Sequence, residues 1–120
     1  MQAKIRVGYR WTVAEVDHDL GKYLRKLFLK SQGIKLQRPS HEEHITIVSQ
    51  YEEISEVQRQ RLLRYHENVV QFELYWDIYT NGNAYWMPIV SQGIEKIRES
   101  ILLPSQPLIP LHFCIGYENE

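Results

Sequence analysis

The 120-residue sequence contains a single cysteine, so the chain cannot form an internal disulfide. No stretch approaches the 18 consecutive apolar residues of a membrane-spanning helix, and the opening MQAKIRVGYRW lacks the apolar core of a secretory signal. Charge of one sign is also scarce, because 14 basic residues stand against 15 acidic ones and the formal net charge is -1. These absences predict a cytoplasmic protein with no membrane partner and exclude a uniformly basic surface for nucleic acid.

The motifs of several common enzyme sites are missing as well. The sequence contains no P-loop, no G-x-G-x-x-G and no G-x-S-x-G. His41 and His44 in HEEH resemble a metal-binding pair, but residues three apart on a strand face opposite ways. No Gly-rich turn or helix start accompanies Cys114, so a cysteine nucleophile is disfavoured. We therefore expect neither a metal nor a cofactor.

The first third of the chain reads as a strand followed by a helix. KIRVGYRWTV alternates polar and apolar residues and predicts one strand with an apolar face at Ile5, Val7, Tyr9, Trp11 and Val13. Asp17 has the side chain of a helix N-cap, and the apolar spacing from Leu20 to Phe28 predicts a helix ending near Gly33. The basic face of this helix, which we expect to be solvated, consists of Lys22, Arg25, Lys26 and Lys30.

The remaining elements follow from turn and capping signals. HITIV predicts a strand, and Ser55 with Gln58 forms a capping box that opens a second helix running to about Asn68. VQFELYWDIYTNGNAYWMPIV predicts a hairpin around Asn81–Gly82, and Ser91 a cap for a third helix before the last strand, LHFCIGY. The order β-α-β, α, β-β-α-β predicts an α/β (α+β) fold in a single domain, residues 1–120.

Two of the predicted strands begin with histidine. Side chains alternate on a strand, so His44, Thr46 and Val48 should share one face, as should His112 and Cys114. If the strands are neighbours, two imidazoles flank one space, and one can accept a proton while the other donates one. This division of labour suits phosphodiester cleavage, with the Thr46 hydroxyl donating to a non-bridging phosphate oxygen.

The segments HITI and HFCI, 68 positions apart, resemble the paired H-x-[ST]-x motifs of the two-histidine phosphoesterases, the LigT-like superfamily. The resemblance covers nearly the whole chain and is greatest to the small bacteriophage branch that includes the anti-CBASS phosphodiesterases. It implies a bilobal fold of two pseudo-twofold-related strand-helix-strand lobes around a central cleft. Lobe one would span about residues 3–50, a connecting helix about 54–68 and lobe two about 69–118.

The resemblance also implies a function. His44, Thr46, His112 and Cys114 would be the catalytic residues of a metal-independent phosphodiesterase (a hydrolase or a 2′-OH transesterification enzyme), with Cys114 standing where Ser or Thr is expected. The substrate would be a cyclic di- or trinucleotide immune messenger, cleaved by a phage counter-defence protein in the infected host cytoplasm. The alternatives are a 2′,3′-cyclic phosphodiesterase acting on an RNA terminus, a catalytically weak cyclic-nucleotide sponge, and a small RNA-binding module.

Bases of such ligands stack on aromatic rings. The candidates in this sequence are Tyr9, Trp11, Tyr75, Trp76, Tyr79, Tyr85, Trp86 and Tyr117. Trp76 shares a predicted face with Phe72 and Leu74 and is expected in the core, whereas Tyr75 and Tyr79 alternate with it. The predicted substrate contacts are Tyr9, Trp11, Tyr75, Tyr79 and Tyr117, together with Arg6 and Arg10 for phosphate.

Overall fold

The computed structural model describes residues 1–39 and 43–118. Their elements, in chain order, are β1 (Gln2–Val7), β2 (Thr12–Val16), α1 (His18–Gln32), β3 (Leu36–Gln37), β4 (His44–Val48), α2 (Glu56–Leu63), β5 (Val69–Gln71), β6 (Glu73–Leu74), β7 (Tyr79–Asn81), β8 (Ala84–Val90), α3 (Gln92–Ser100) and β9 (His112–Glu118). The predicted α+β class is confirmed.

The strands form one sheet in the order β5-β1-β2-β4-β9-β8-β6, with β3 added to β9 and β7 added to β8. Each pair is antiparallel. The two histidine strands, β4 and β9, occupy the centre. One face of the sheet is buried under helices, and the other can remain open, as antiparallel sheets allow.

The same arrangement of elements occurs twice. A hairpin (β1–β2, then β7–β8), a helix (α1, then α3) and a histidine strand (β4, then β9) follow one another in each half. Each half therefore opens with a hairpin. The sequence predicted the hairpin of the second half but a single strand for the first. The helices cross over: α1 contacts β9, and α3 contacts β4.

The prediction of one continuous first strand is wrong, because this segment forms two strands, β1 and β2, joined by a turn. The Gly8 N–H donates to the Trp11 carbonyl across a tight turn, with an N–O distance of 2.8 Å. A Cβ atom at Gly8 would lie 2.7 Å from the Trp11 ring, so glycine lets this ring pack directly against the turn. The turn shifts the buried set by one residue: Ala3 and Ile5 are buried in β1, but Ala14 and not Val13 is buried in β2.

The predicted caps of α1 and α3 are confirmed. The Asp17 carboxylate accepts from the Asp19 N–H at 2.9 Å, and Gly33 ends α1 in the left-handed region with φ 72°. The Ser91 hydroxyl accepts from the Ile94 N–H at 3.2 Å. These short-range interactions depend on residues two to four positions apart, so sequence alone locates them.

The capping box of α2 is also confirmed, but the helix ends at Leu63 and not near Asn68. Beyond it, the Ile5 N–H donates to the Asn68 carbonyl at 2.8 Å, and the Glu67 N–H donates to the Ile5 carbonyl at 2.7 Å. Glu67 adopts φ 69°. Pairing with β1 therefore replaces the last helical turn.

The hairpin strand before Asn81–Gly82 is interrupted. The chain forms β5, β6 and β7, with a loop at 75–78 between β6 and β7. Both β6 and β7 pair with β8, and β7 leads into the turn, where Gly82 has φ 64°. Trp76 lies in that loop and is 63% exposed, so its predicted place in the core is wrong. Alternation cannot be extrapolated through a segment that leaves the sheet.

Of the histidines outside the two motifs, His66 is exposed and His18 is exposed but bonded to Glu43, whereas His41 lies outside the described residues. Within residues 1–39 and 43–118, no helix has both the length and the apolar character to cross a membrane.

Candidate active site

The two histidine strands are neighbours, as the acid–base hypothesis requires. Ile45 on β4 lies opposite Phe113 on β9, and both side chains are buried beneath the sheet. The antiparallel register then sets His44 opposite Cys114 and Thr46 opposite His112 on the other face. Cβ atoms of opposed residues lie about 5 Å apart and those of diagonal residues about 7–8 Å, so His44 and His112 flank one space.

A cleft of about 590 Å³ opens over β4, and neither His112 nor Cys114 of β9 is among the residues that line it. Its lining consists of Arg6, Trp11, Val13, Glu15, His44, Thr46, Ser49, Gln50 and Tyr51. Four predicted site residues from the first half therefore meet here: Arg6, Trp11, His44 and Thr46.

His44 sits beside a pair of opposite charges. The register of β2 on β4 places Glu15 opposite His44 and Val13 opposite Thr46. The Arg6 guanidinium forms an ion pair with Glu15 and remains more than half exposed. Arg6 thus provides a cation at the edge of the cleft. This position suits the phosphate contact that the sequence predicted for it.

His112 is held in one tautomer by the backbone. Its Nδ1 lies 2.9 Å from the Pro110 carbonyl oxygen. A carbonyl only accepts, so Nδ1 carries the proton and Nε2 is the nitrogen available to exchange a proton. The Trp86 ring lies 5.3 Å from the imidazole between centroids, and Tyr79 stacks on Trp86 at 4.9 Å. An aromatic wall therefore borders His112.

Each histidine strand carries a β-bulge three residues after its histidine. On β4, Thr46 pairs with Val13 and Val48 pairs with Thr12, which leaves Ile47 without a partner on β2. A bulge inverts the alternation of all later side chains. Val48 consequently turns into the core, so its predicted place on the His44 face is wrong.

The bulge on β9 brings a later side chain onto the face of the histidine, whereas the bulge on β4 turns one away from it. Cys114 pairs with Trp86 and Gly116 with Tyr85, so Ile115 has no partner on β8. The inversion brings Tyr117 onto the face of Cys114, and the Tyr117 hydroxyl donates a hydrogen bond to the Cys114 sulfur. Simple alternation would have placed Tyr117 on the other face.

Burial raises the pKa of the Cys114 thiol, and the hydrogen bond from Tyr117 offsets this rise only in part. A protonated thiol is a poor nucleophile and a weak hydrogen-bond donor. The raised pKa therefore disfavours covalent catalysis by Cys114.

Glu43, the residue before β4, contacts three basic side chains. The Arg25 Nη2 and the His18 Nδ1 both donate to its Oε1 at 3.1 Å, and the Arg38 Nε lies 3.7 Å away. Burial raises the pKa of Glu43, but hydrogen bonds from a backbone amide, His18 and Arg25 outweigh it and lower the pKa. The Arg25 side chain is 11% exposed, so its predicted solvation on α1 is wrong.

Glu52, just after β4, accepts from Arg98 of α3 through both oxygens, at 2.7 and 3.0 Å. Burial raises the pKa of Glu52, yet the bonds from Arg98 and from the Ser49 amide outweigh it and lower the pKa. The folded state thus favours the carboxylate, and this stabilisation is complete above the unfolded pKa and lost as pH falls through the lowered folded value.

We expect Glu52→Gln to flatten the acid limb of stability. Wild-type free energy of unfolding in urea should fall more steeply between about pH 6 and pH 3 than that of the variant, because only the carboxylate titrates. Glu53→Gln, at the exposed neighbouring position, should keep the wild-type slope. Equal slopes in wild type and Glu52→Gln would contradict this linkage.

Some predicted substrate contacts lie away from the histidines. Tyr9 and Arg10 occupy the β1–β2 turn, where the Arg10 and Arg59 guanidinium carbons lie 5.5 and 5.7 Å from the Tyr9 ring centroid. They line a neighbouring cavity of about 430 Å³ that shares Trp11 with the cleft. Tyr75 is exposed between β6 and β7, on the side of β8 away from β9.

Sequence reasoning missed several residues of the site. Trp86 was one of eight aromatic candidates, and only its register opposite Cys114 distinguishes it. Glu15 carried no signal, because the single-strand prediction hid its position next to His44. Arg25 and Arg98 were indistinguishable from other basic residues on their helices.

Within the described residues, no group of three or more His, Cys, Asp or Glu side chains is arranged to hold a metal ion. Comparisons of the chain with family models, with curated proteins and with solved structures find no match. The site must therefore be interpreted from its own geometry.

Proposed function

We propose that this protein is a phosphodiesterase that cleaves cyclic oligonucleotides by acid–base catalysis between His44 and His112, without a metal. The observation that carries the proposal is the register of β4 on β9, from which the two histidines stand diagonally on the same face of the sheet, with His44 in the lining of the cleft. Two imidazoles at that separation can contact opposite sides of one phosphodiester.

In the proposed reaction, one imidazole takes the proton of a ribose 2′-hydroxyl, whose oxygen attacks the adjacent phosphorus. The other imidazole donates a proton to the departing 5′-oxygen as the P–O bond breaks. The ring opens to a linear product with a 2′,3′-cyclic phosphate and a 5′-hydroxyl, so atoms and charge balance. The Thr46 hydroxyl and the Arg6 guanidinium are suited to stabilise the charge on the non-bridging oxygens.

The stacked rings of Tyr79 and Trp86 favour a nucleotide substrate, because they present a flat wall beside His112. Base–aromatic stacking contributes about 1–3 kcal/mol per base. Trp11 provides a second aromatic surface in the cleft near His44. A ligand with two or more bases would use both.

Trp86→Leu should weaken binding of the cyclic oligonucleotide by about 10- to 100-fold. The change removes the ring that stacks on Tyr79 and borders His112. The dissociation constant can be measured by calorimetry in the His44→Ala background, where turnover does not interfere. Trp76→Leu serves as the matched control because Trp76 is exposed in the 75–78 loop; an equal effect of both changes would contradict a specific platform.

Tyr117 is the proposed replacement for the missing hydroxyl of the second motif. After the bulge, its hydroxyl lies against the Cys114 sulfur, on the same face of β9 as His112. If that hydroxyl turns to phosphate, Tyr117→Phe should lower kcat/KM by about 10-fold, the loss of one charge-assisted hydrogen bond. Cys114→Ala should have the smaller effect, and the reverse order would assign the phosphate contact to the thiol.

The deciding experiment is product analysis by chromatography. The protein would be incubated in excess EDTA with a panel of cyclic di- and trinucleotides and with 2′,3′-cyclic mononucleotides. Linear products from the cyclic panel, absent in His44→Ala and present in His66→Ala, would support the proposal. Opening of the mononucleotides alone would favour an enzyme of RNA ends, and intact ligands throughout would overturn the enzyme proposal.

A sponge is the second candidate, favoured by the protonated Cys114 thiol in place of a hydroxyl. A sponge predicts tight binding of a cyclic oligonucleotide with no turnover. Calorimetry on the same panel separates it from the enzyme.

A further inference from the structure

The two bulges leave backbone carbonyls that need partners. Ile47 on β4 and Ile115 on β9 are the extra residues, and both are buried. A buried carbonyl that loses its ladder partner must find another donor. In both strands that donor is an arginine.

The two arginines occupy corresponding positions. The Arg25 Nη1 donates to the Ile115 carbonyl at 3.0 Å, and the Arg98 Nη1 donates to the Ile47 carbonyl at 2.7 Å. Arg25 lies on α1 of the first half and bonds β9 of the second half. Arg98 lies on α3 of the second half and bonds β4 of the first half. Each guanidinium is also bound to a glutamate beside β4, Glu43 for Arg25 and Glu52 for Arg98.

The neighbourhood of Ile115 is shaped for this contact. A Cβ atom at Gly116 would lie 2.4 Å from the Gln37 carbonyl and 3.4 Å from the Arg25 side chain. Glycine therefore lets β3 and Arg25 approach the bulge together. Without the arginine, a one-residue slip of β9 on β8 would restore a regular ladder and reverse the side chains on one side of the bulge.

We propose that Arg25 and Arg98 are positioning residues of the two-histidine site. Each bonds the bulge that directly follows the histidine and the i+2 side chain of its strand, and so fixes the register in which these side chains stand on the open face of the sheet. Because each of these hydrogen bonds joins one half to the other, the two arginines also fix β4 and β9 relative to each other. The guanidinium is needed in both places since it bridges a carbonyl and a carboxylate at once, which an ammonium does less well.

Arg25 is the better residue to test, because Arg98 is 1% exposed and its removal threatens folding. On the cyclic oligonucleotide, kcat should fall about 10-fold in Arg25→Lys and about 100-fold in Arg25→Met, with the dissociation constant unchanged. Amide hydrogen exchange at Ile115 and Gly116 should rise at least about 10-fold in both, which reports loosening of the bulge. Lys26→Met, at the exposed neighbouring position, should change neither.

Exchange at 115 and 116 that stays at the wild-type rate would overturn the proposal, as would raised exchange with wild-type kcat. If Arg25→Met does not fold, Arg25→Lys decides. The kcat measurement rests on the proposed function, but the exchange measurement does not. If wild type proved inactive, the chemical shift of the His112 Cε1–H NMR signal would decide. A shift that changes in Arg25→Lys but not in Lys26→Met would support the positioning role. A shift that stays unchanged in Arg25→Lys would refute it.

Discussion

Replacing His112 with asparagine should lower kcat by about 10²- to 10⁴-fold, the contribution expected of one general acid or base. The asparagine amide can still donate to the Pro110 carbonyl, as Nδ1 does now, so the end of β9 should keep its conformation. What the change removes is Nε2, the only ring nitrogen left for proton transfer. Binding of the cyclic oligonucleotide should change little, because stacking on Trp86 remains.

Two measurements check this prediction. The profile of log(kcat/KM) against pH should have an acid limb and a basic limb in wild type and should lose one of them in His112→Asn. His66→Asn provides the control, since His66 is exposed and its Nδ1 also has a backbone partner, accepting from the Val7 N–H. A variant at position 112 that keeps both limbs and more than about a tenth of the rate would refute acid–base catalysis by this residue.

The second large effect concerns stability. Arg98→Met should lower the free energy of unfolding by about 3–5 kcal/mol, the cost of removing one partner of a buried ion pair. The Arg98 guanidinium donates to the Pro104 and Ile47 carbonyls and to both Glu52 oxygens. Methionine satisfies none of these acceptors. Domains of this size are stable by only about 5–15 kcal/mol, so the loss takes a large part of the total.

Urea unfolding measures the effect as a lower midpoint at constant slope. Lys96→Met is the matched control, because Lys96 is exposed on the same helix. The double change Arg98→Met with Glu52→Leu should recover part of the loss, since it removes the unpaired carboxylate. If Arg98→Met unfolds at the same urea concentration as Lys96→Met, the ion pair contributes nothing measurable.

The limits of the sequence are clearest in the hairpins. Alternation from Ile5 to Val13 predicted one strand, because the turn residues Tyr9 and Trp11 continue the apolar pattern although both are exposed. Gly8 was the only local sign of the turn. The same limit explains Trp76, whose alternation with Phe72 and Leu74 has no meaning once the chain leaves the sheet at 75–78.

The bulges explain the other errors. Thr46 and Cys114 precede the bulges and point as alternation predicts, whereas Val48 and Tyr117 follow them and point the opposite way. The carbonyl of each bulged residue accepts a hydrogen bond from a distant arginine, 51 residues away for Ile47 and 90 for Ile115. No window along the sequence contains both partners.

The sequence by itself determined the helix caps, the α+β composition and the two histidine strands, because these follow from residues within a few positions of one another. It also set the choice of residues at 44, 46, 112 and 114 from which the proposed chemistry is drawn. Only the tertiary structure decided that β4 and β9 lie side by side, that Trp86 borders His112, and that Arg25 and Arg98 hold the bulges. Those features depend on strand register and on contacts across the sheet, whose partners are separated by up to 90 residues.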